Sequence, residues 1–383
     1  MIKAEDFITQ ALSFGYTFFT GVPCSLLTPL INYVIQHPDL KYVMATNEGE
    51  ATGIAAGAHI AGFKTVVMCQ NSGLGNAVNP LTSLNFPFRI PTLLVVTLRG
   101  EQGLKDEPQH ELMGEITGEL LNALRIKWEF FPHESHMIKE SLERAEETIA
   151  KEGLPYAFVM KKGVVEKTDL KNRKNSAYIG AGKVEGSFKR NYADRMLRFE
   201  AIKVISNAIS YEDAIVATTG KIGRELCDLG DKDNQLYVVG SMGCASGIGF
   251  GIQYTIPQKR VIVLDGDGAA LMKMGTLATI GYYHPSKLIH IILDNEAHES
   301  TGGQFTVSSS VDFCNIASAC GYEQCYRVDN ESDLSNAVNS LREVRGPSLI
   351  HVKVACCSAS ELARPALKPF QVKERFMKYL RSN

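Results

Sequence analysis

The chain has 383 residues, 45% of them hydrophobic and 21% charged, with a formal net charge of −2 at pH 7. That length supports two or three domains, each with its own core, and the composition is that of a globular protein rather than a disordered or fibrous one. The small net charge excludes a general pull toward nucleic acid or acidic membranes, and no apolar run reaches the ~20 residues that a membrane helix needs.

The start, MIKAEDFITQALSFGYTFF, carries acids in a polar-apolar helical pattern over 3–13, unlike a signal peptide. The nine cysteines show neither zinc-type pairs nor a disulfide framework, and Cys356-Cys357 are too close to bridge easily, which points to a reducing cytoplasm. A short strand is expected to end at Gly21-Val22-Pro23-Cys24-Ser25, and a strand over 42–45 delivers Thr46-Asn47-Glu48-Gly49-Glu50-Ala51. The helix expected over 51–61 is full of small residues, among them Gly53, Ala55, Ala56 and Gly57, and suits very close packing. Strands over 65–69 and 92–97 open into Gln70-Asn71-Ser72-Gly73-Leu74-Gly75-Asn76 and Arg99-Gly100. Glu48 stands at the mouth of the small-residue helix, where a carboxylate either caps the helix and answers its dipole or serves chemistry; Glu50 is its rival. The stretch 100–117, GEQGLKDEPQHELMGEIT, reads as a polar loop. It is either solvated surface or a segment that reaches over a ligand with a titratable His110. A helix over 136–151 and a strand over 156–160 complete a first domain, 1–165.

Residues 166–194 crowd Lys, Asn, Gly and Ser together with little periodicity, as expected of a linker too short to be a third domain. A second α/β series is expected over 195–383. Its strand over 214–217 ends in Thr218-Thr219-Gly220-Lys221, a backbone-and-hydroxyl cradle for phosphate. The strand over 236–239 ends in Gly240-Ser241-Met242-Gly243, ahead of a compact helix over 244–254. Two further helix–strand pairs follow residue 304, then a basic tail over 364–381. Leu367, Phe370, Phe376 and Leu380 favour a docked amphipathic helix there over a nucleic-acid arm, and Pro365 and Pro369 delay its start. Strands alternating with helices throughout predict parallel sheets covered on both faces.

The segment 260–297, RVIVLDGDGAALMKMGTLATIGYYHPSKLIHIILDNEA, is a β-α-β unit with acidic and amide side chains at both strand ends, where parallel sheets place their ligands. Gly266 and Gly268 flank Asp267 and let backbone N–H groups approach an anion such as a diphosphate. Asp267 and Asn295 supply hard oxygens of the kind Mg²⁺ takes in octahedral geometry. A plain turn between strand and helix is the alternative for Gly-Asp-Gly taken alone.

Gly266-Asp267-Gly268 followed at a distance by Asn295 resembles the thiamine diphosphate (ThDP) motif of Gly-Asp-Gly and Asn-Asn, with Asp294 in place of the first Asn. Together with Glu48, Thr219-Gly220 and Gly240-Ser241-Met242-Gly243, the chain looks like a ThDP-dependent 2-oxoacid decarboxylase. The fold implied is α/β, with two doubly wound parallel-sheet domains, pyrimidine-binding first and diphosphate-binding second, and without the middle domain of larger members. The segments 21–25, 71–76, 99–100, 106–110 and 295–304 are similar specifically to the phosphonopyruvate decarboxylase branch, with sulfopyruvate decarboxylases as close relatives.

The resemblance implies that Asp267, Asn295 and the Ala297 carbonyl hold Mg²⁺, and that Gly266, Gly268 and Ala269, with Thr219 and Gly220, meet the diphosphate. Met242 matches the apolar wedge that bends the cofactor, between Ser241 and a Gly240 whose carbonyl faces the aminopyrimidine N4′. Glu48 hydrogen-bonds N1′ of the aminopyrimidine, and His110 moves protons. Ser25, Asn71, Arg99 and Lys105 are the candidate substrate contacts. The implied activity converts 3-phosphonopyruvate to phosphonoacetaldehyde and CO₂, a step of phosphonate biosynthesis; the alternatives are sulfopyruvate decarboxylation to sulfoacetaldehyde, or a non-catalytic subunit that binds a partner. The implied assembly is a cytoplasmic homodimer at least, up to a tetramer, with active sites between subunits.

Overall fold

The apolar runs become buried strands. In the computed structural model, which describes residues 1–171, 180–356, 362 and 364–382, the chain divides into two units, Met1–Ser176 and Ala177–Asn383. The first unit contains strands β1 (Tyr16–Gly21), β2 (Lys41–Met44), β3 (Lys64–Gln70), β4 (Leu93–Thr97), β5 (Lys127–Phe130) and β6 (Tyr156–Met160). They form one sheet in the order β2-β1-β3-β4-β6-β5, and every pair is parallel. The central strands LLVVT and YAFVM are buried at every position, as parallel strands covered on both faces require. Helix Ala4–Ser13 buries Ala4, Phe7, Ile8 and Ala11, one helical stripe. Phe7 meets Phe131 and Phe158 with ring centroids 4.4 and 6.0 Å apart.

Three local structures differ from the sequence expectation. The small-residue helix begins earlier, at Glu48, and runs Glu48–Ile60. The segment after β3 goes directly into helix Asn71–Pro80. The polar stretch 100–117 contains a 3₁₀ turn, Pro108–His110, and the start of helix Glu111–Ala123. That helix was hard to read because its contact face carries glycine in place of an apolar side chain: a Cβ at Gly118 would lie 2.7 Å from Trp128 Cζ2.

The second unit contains β7 (Lys183–Gly186), β8 (Ala214–Ala217), β9 (Gln235–Tyr237), β10 (Val261–Gly266), β11 (Leu288–Asp294), a small hairpin of β12 (Ala297–His298) and β13 (Gln304–Phe305), β14 (Gln324–Val328) and β15 (Ser348–Lys353). The main sheet is parallel, in the order β7-β14-β15-β11-β10-β8-β9. Strand β7 lies within the 166–194 stretch expected as a linker, and residues 172–179 of that stretch lie outside the described residues. Helix Pro369–Ser382 starts on a proline, which suits the first helical position. It docks through buried Val372, Phe376 and Leu380 and a two-pronged ion pair from Arg375 to Asp231 at 2.6 and 2.8 Å. No helix among the described residues is long and apolar enough to cross a membrane. None of the eight described cysteines is in a disulfide; Cys357 lies outside the described residues.

Candidate active site

In the second sheet β8 is followed in sequence by β9 on one side, while β10 lies on its other side and leads on to β11. The chain thus reverses its direction of travel between β8 and β10, and open parallel sheets bind ligands beyond the strand ends at such a point. A cavity lies there. It is lined by Thr218–Ile222 after β8, Gly266–Ala269 after β10, Asn295 and Ala297 after β11, and Met242. Of the second-unit residues singled out in the sequence, Thr219, Gly220, Met242, Gly266, Asp267, Gly268, Ala269, Asn295 and Ala297 therefore share one wall. Gly240 and Ser241 are not on that wall but precede Met242, and both turn with positive φ, 69° and 42°. The Gly240 N–H donates to Thr219 Oγ at 3.1 Å, tying the β8 and β9 loops together.

The lining fits a diphosphate bridged to a divalent cation. Asp267 is buried and accepts a hydrogen bond from Thr306, and no Lys, Arg or His among the described residues pairs with it. Burial, followed by the nearby Asp294 charge, holds its carboxyl above the ordinary carboxylate range, which is the condition of a carboxylate that a cation would relieve. Asn295 Oδ1 accepts from the Ala297 N–H at 3.2 Å, so its amide oxygen sits beside the Ala297 backbone. Among the described residues no three His, Cys, Asp or Glu side chains cluster as a metal site, so one carboxylate, one amide and one carbonyl leave positions for a ligand's oxygens. At Gly268 a Cβ would come within 2.7 Å of His298 Cε1 and 3.1 Å of the Met242 methyl; only glycine fits against these two side chains without displacing them.

Sequence reasoning missed the cations of this cavity. Lys221 and Arg198 both line it, and Glu299 holds both, at 2.8 and 2.7 Å. Buried Arg198 is also locked to buried Glu225 by two 2.8 Å hydrogen bonds. Lys221 was visible as the end of Thr-Thr-Gly-Lys; Arg198, far from any motif, gave no signal.

In the first unit the geometry separates Glu48 from Glu50. The Asn47 side chain accepts from the Glu50 N–H at 2.8 Å, and Glu50 accepts from the Thr46 N–H at 2.6 Å. Asn47 thus caps the helix through the Glu50 N–H, while the Glu50 carboxylate is spent on Thr46, the residue before the cap. Glu48 is left outside the cap. Its carboxylate is buried and oriented by one amide, with Asn76 Nδ2 donating to Oε2 at 2.8 Å. It lies flat against helix Asn71–Pro80, where a Cβ at Gly73 would fall 2.0 Å from Oε1.

The loop after β4 gathers three of the four expected substrate contacts. Arg99 donates to Ser25 Oγ at 3.2 Å, and the Asn71 amide donates to the Arg99 carbonyl at 2.8 Å and Thr117 Oγ at 3.1 Å. Asp106 neutralises Arg99: the guanidinium donates to both its oxygens, with Nε at 2.7 Å from one, and holds the carboxyl well below the usual range. Lys105 is exposed and no described contact joins it to the other three. His110 is buried, and its Nδ1 has no hydrogen-bond partner among the described residues.

Two family descriptions match the chain: the N-terminal TPP binding domain of thiamine pyrophosphate enzymes over residues 2–121 and the C-terminal TPP binding domain over 229–352. A phosphonopyruvate decarboxylase of Streptomyces viridochromogenes is 41% identical over 99% of this chain and 95% of its own. A sulfopyruvate decarboxylase of Methanosarcina acetivorans is 29% identical over 88% and 87%. Among solved structures, a thiamine diphosphate-dependent 4-hydroxybenzoylformate decarboxylase of Rhodococcus jostii superposes with a TM-score of 0.72 at 14% identity, covering 93% of this chain and all of that one. The chain belongs to the thiamine pyrophosphate enzyme family, in the group that holds the phosphonopyruvate decarboxylases.

Proposed function

We propose that this chain decarboxylates 3-phosphonopyruvate to phosphonoacetaldehyde and CO₂ with ThDP and Mg²⁺. The observation that carries the reading is the cavity at the β8/β10 reversal, where Thr219, Gly266–Ala269, Asn295 and Ala297 meet in a chain similar along its whole length to phosphonopyruvate decarboxylases. Bound ThDP supplies a nucleophilic carbon for the keto group and a sink for the electrons freed with CO₂. Asp267, Asn295 and the Ala297 carbonyl hold the cation, while the backbone at Gly266, Gly268 and Ala269 and the Thr219-Gly220 turn receive the diphosphate. Met242, flanked by Ser241, wedges the cofactor, and the Gly240 carbonyl orients its amine. Glu48 hydrogen-bonds the aminopyrimidine, a role supported by its separation from the helix cap and from the Thr46 contact of Glu50. His110, buried with an unengaged Nδ1 among the described residues, is the group proposed to pass a proton. Ser25, Asn71, Arg99 and Lys105 remain the proposed substrate contacts, and Arg99 meets the substrate as an ion pair with Asp106 rather than as a bare cation.

The proposed domain division is 1–165 and 195–383, with 166–194 connecting them. The proposed assembly is a homodimer at least, Glu48 of one copy serving the diphosphate cavity of the other; exposed Phe305, Val307 and Met272, beside the cavity in sequence, are apolar surface for such an interface. The proposed setting is the cytoplasm, as the nine cysteines without a disulfide framework in the sequence suggest.

An aldehyde-coupled assay with ThDP and Mg²⁺, comparing phosphonopyruvate, sulfopyruvate and pyruvate, tests the reading. Preference for phosphonopyruvate supports it. Preference for sulfopyruvate installs the second reading, which the Methanosarcina relative favours, and turnover of no 2-oxoacid leaves a partner-binding subunit.

A further inference from the structure

Two buried hydroxyls stand between the two acidic strand ends of the second unit. Thr306 Oγ donates to Asp267 Oδ2 and lies 2.9 Å from Ser308 Oγ, which donates to Asp294 Oδ1 at 2.8 Å. Both hydroxyl residues are buried, Ser308 completely. A hydroxyl has one proton to give; with Thr306 serving Asp267 and Ser308 serving Asp294, each carboxylate receives one, and none is left for the contact between the two hydroxyls.

Asp294 is in turn fixed from every side. Its Oδ1 also accepts from the Glu296 N–H at 3.0 Å, and its Oδ2 accepts from His351 Nε2 and Lys353 Nζ, both at 2.8 Å. An asparagine there would offer one oxygen to these four donors, and its NH₂ would meet donors on one side. The Thr306 backbone is fixed as well, its N–H donating to the Glu296 carbonyl at 3.0 Å across the base of the β12–β13 hairpin.

The geometry points to Thr306 as a positioning residue, a hydroxyl on a fixed backbone that sets the rotation of the Asp267 carboxylate and so readies it for a divalent cation. The inference rests on the reading of Asp267 as a metal ligand. A ligand carboxylate held by such a partner binds without first having to be ordered, and losing the partner costs roughly 10–100-fold in metal affinity.

The test is Mn²⁺ binding to the full chain in the presence of ThDP, followed by electron paramagnetic resonance, with thermal unfolding measured alongside. Thr306→Val, which keeps the shape and removes the hydroxyl, is expected to weaken Mn²⁺ binding roughly 10–100-fold, and Thr306→Ser to restore it. Wild-type affinity in Thr306→Val, with affinity lost in Asp267→Ala, overturns the inference and spares the metal-ligand reading. Wild-type affinity in Asp267→Ala overturns both. Equal weakness of Thr306→Ser and Thr306→Val, both folded, overturns the inference too. Should Thr306→Val fail to fold, Thr306→Ala removes the hydroxyl without adding a methyl branch: weakened binding there supports the inference and unchanged binding overturns it.

Discussion

Gly73→Ala is a probe of Glu48 that leaves Glu48 itself in place. Gly73 lies in helix Asn71–Pro80, where alanine is the better residue by about 1 kcal/mol, so the backbone gains rather than loses. The new methyl would sit 2.0 Å from Glu48 Oε1, 2.3 Å from Cδ and 2.7 Å from Cγ, while ordinary contact begins near 3.4 Å. The carboxylate must therefore retreat by about 1.4 Å, the difference between those two distances. It would also strain or break its 2.8 Å hydrogen bond from Asn76. A displacement of about 1 Å at a catalytic group costs about 10²-fold in rate. Steady-state decarboxylation kinetics should show kcat falling by about that factor, with KM for the 2-oxoacid and the thermal midpoint close to wild type. Wild-type kcat in a folded Gly73→Ala protein would refute the assignment of Glu48, because no other group in this arrangement is moved so far.

The companion substitutions separate the two acids. Glu48→Gln should lower kcat by roughly 10²–10⁴-fold with ThDP affinity retained in calorimetry, whereas Glu50→Gln, still able to accept from the Thr46 N–H, should leave turnover nearly intact; the reverse order of effects would exchange their roles. Glu225→Ala takes two hydrogen bonds from the buried Arg198 guanidinium and leaves it the Glu299 carboxylate, and should destabilise the protein by about 1–3 kcal/mol in denaturant unfolding; a loss near zero would mean that the remaining contacts satisfy Arg198. The Arg375 guanidinium, working against burial, holds the Asp231 carboxyl below its ordinary value. The docking of helix Pro369–Ser382 should thus be undiminished above about pH 4 and weaken as pH falls through the lowered value. Limited proteolysis of the C-terminal helix across pH 7 to 3 reads this out, and Asp231→Asn should abolish the acid dependence.

The sheets were legible because parallel strands buried on both faces are written as unbroken apolar runs, as in LLVVT and LIHIILD. Gly-Asp-Gly and Asp-Asn were legible because they stand where such runs stop. Strand order was not, since the adjacency of β8 and β10 that makes the cavity is a pairing between residues far apart in sequence. Short polar strands such as KWEF and KVEG, each with only two partly buried positions, carry too little periodicity to announce themselves. Thr306, Ser308, His351 and Lys353 escaped notice for a related reason. A buried hydroxyl or imidazole acquires its meaning from the acid it meets, and that acid lies in another segment.

Helix Glu48–Ile60 is buried at every residue except His59, whereas the β12–β13 hairpin ends on Phe305, which is 90% exposed. Amides of such an interior helix exchange with solvent only through rare, large openings, whereas those of an exposed two-stranded turn exchange through small local ones. Hydrogen exchange should therefore be slowest in helix Glu48–Ile60 and fast at the tip of the hairpin.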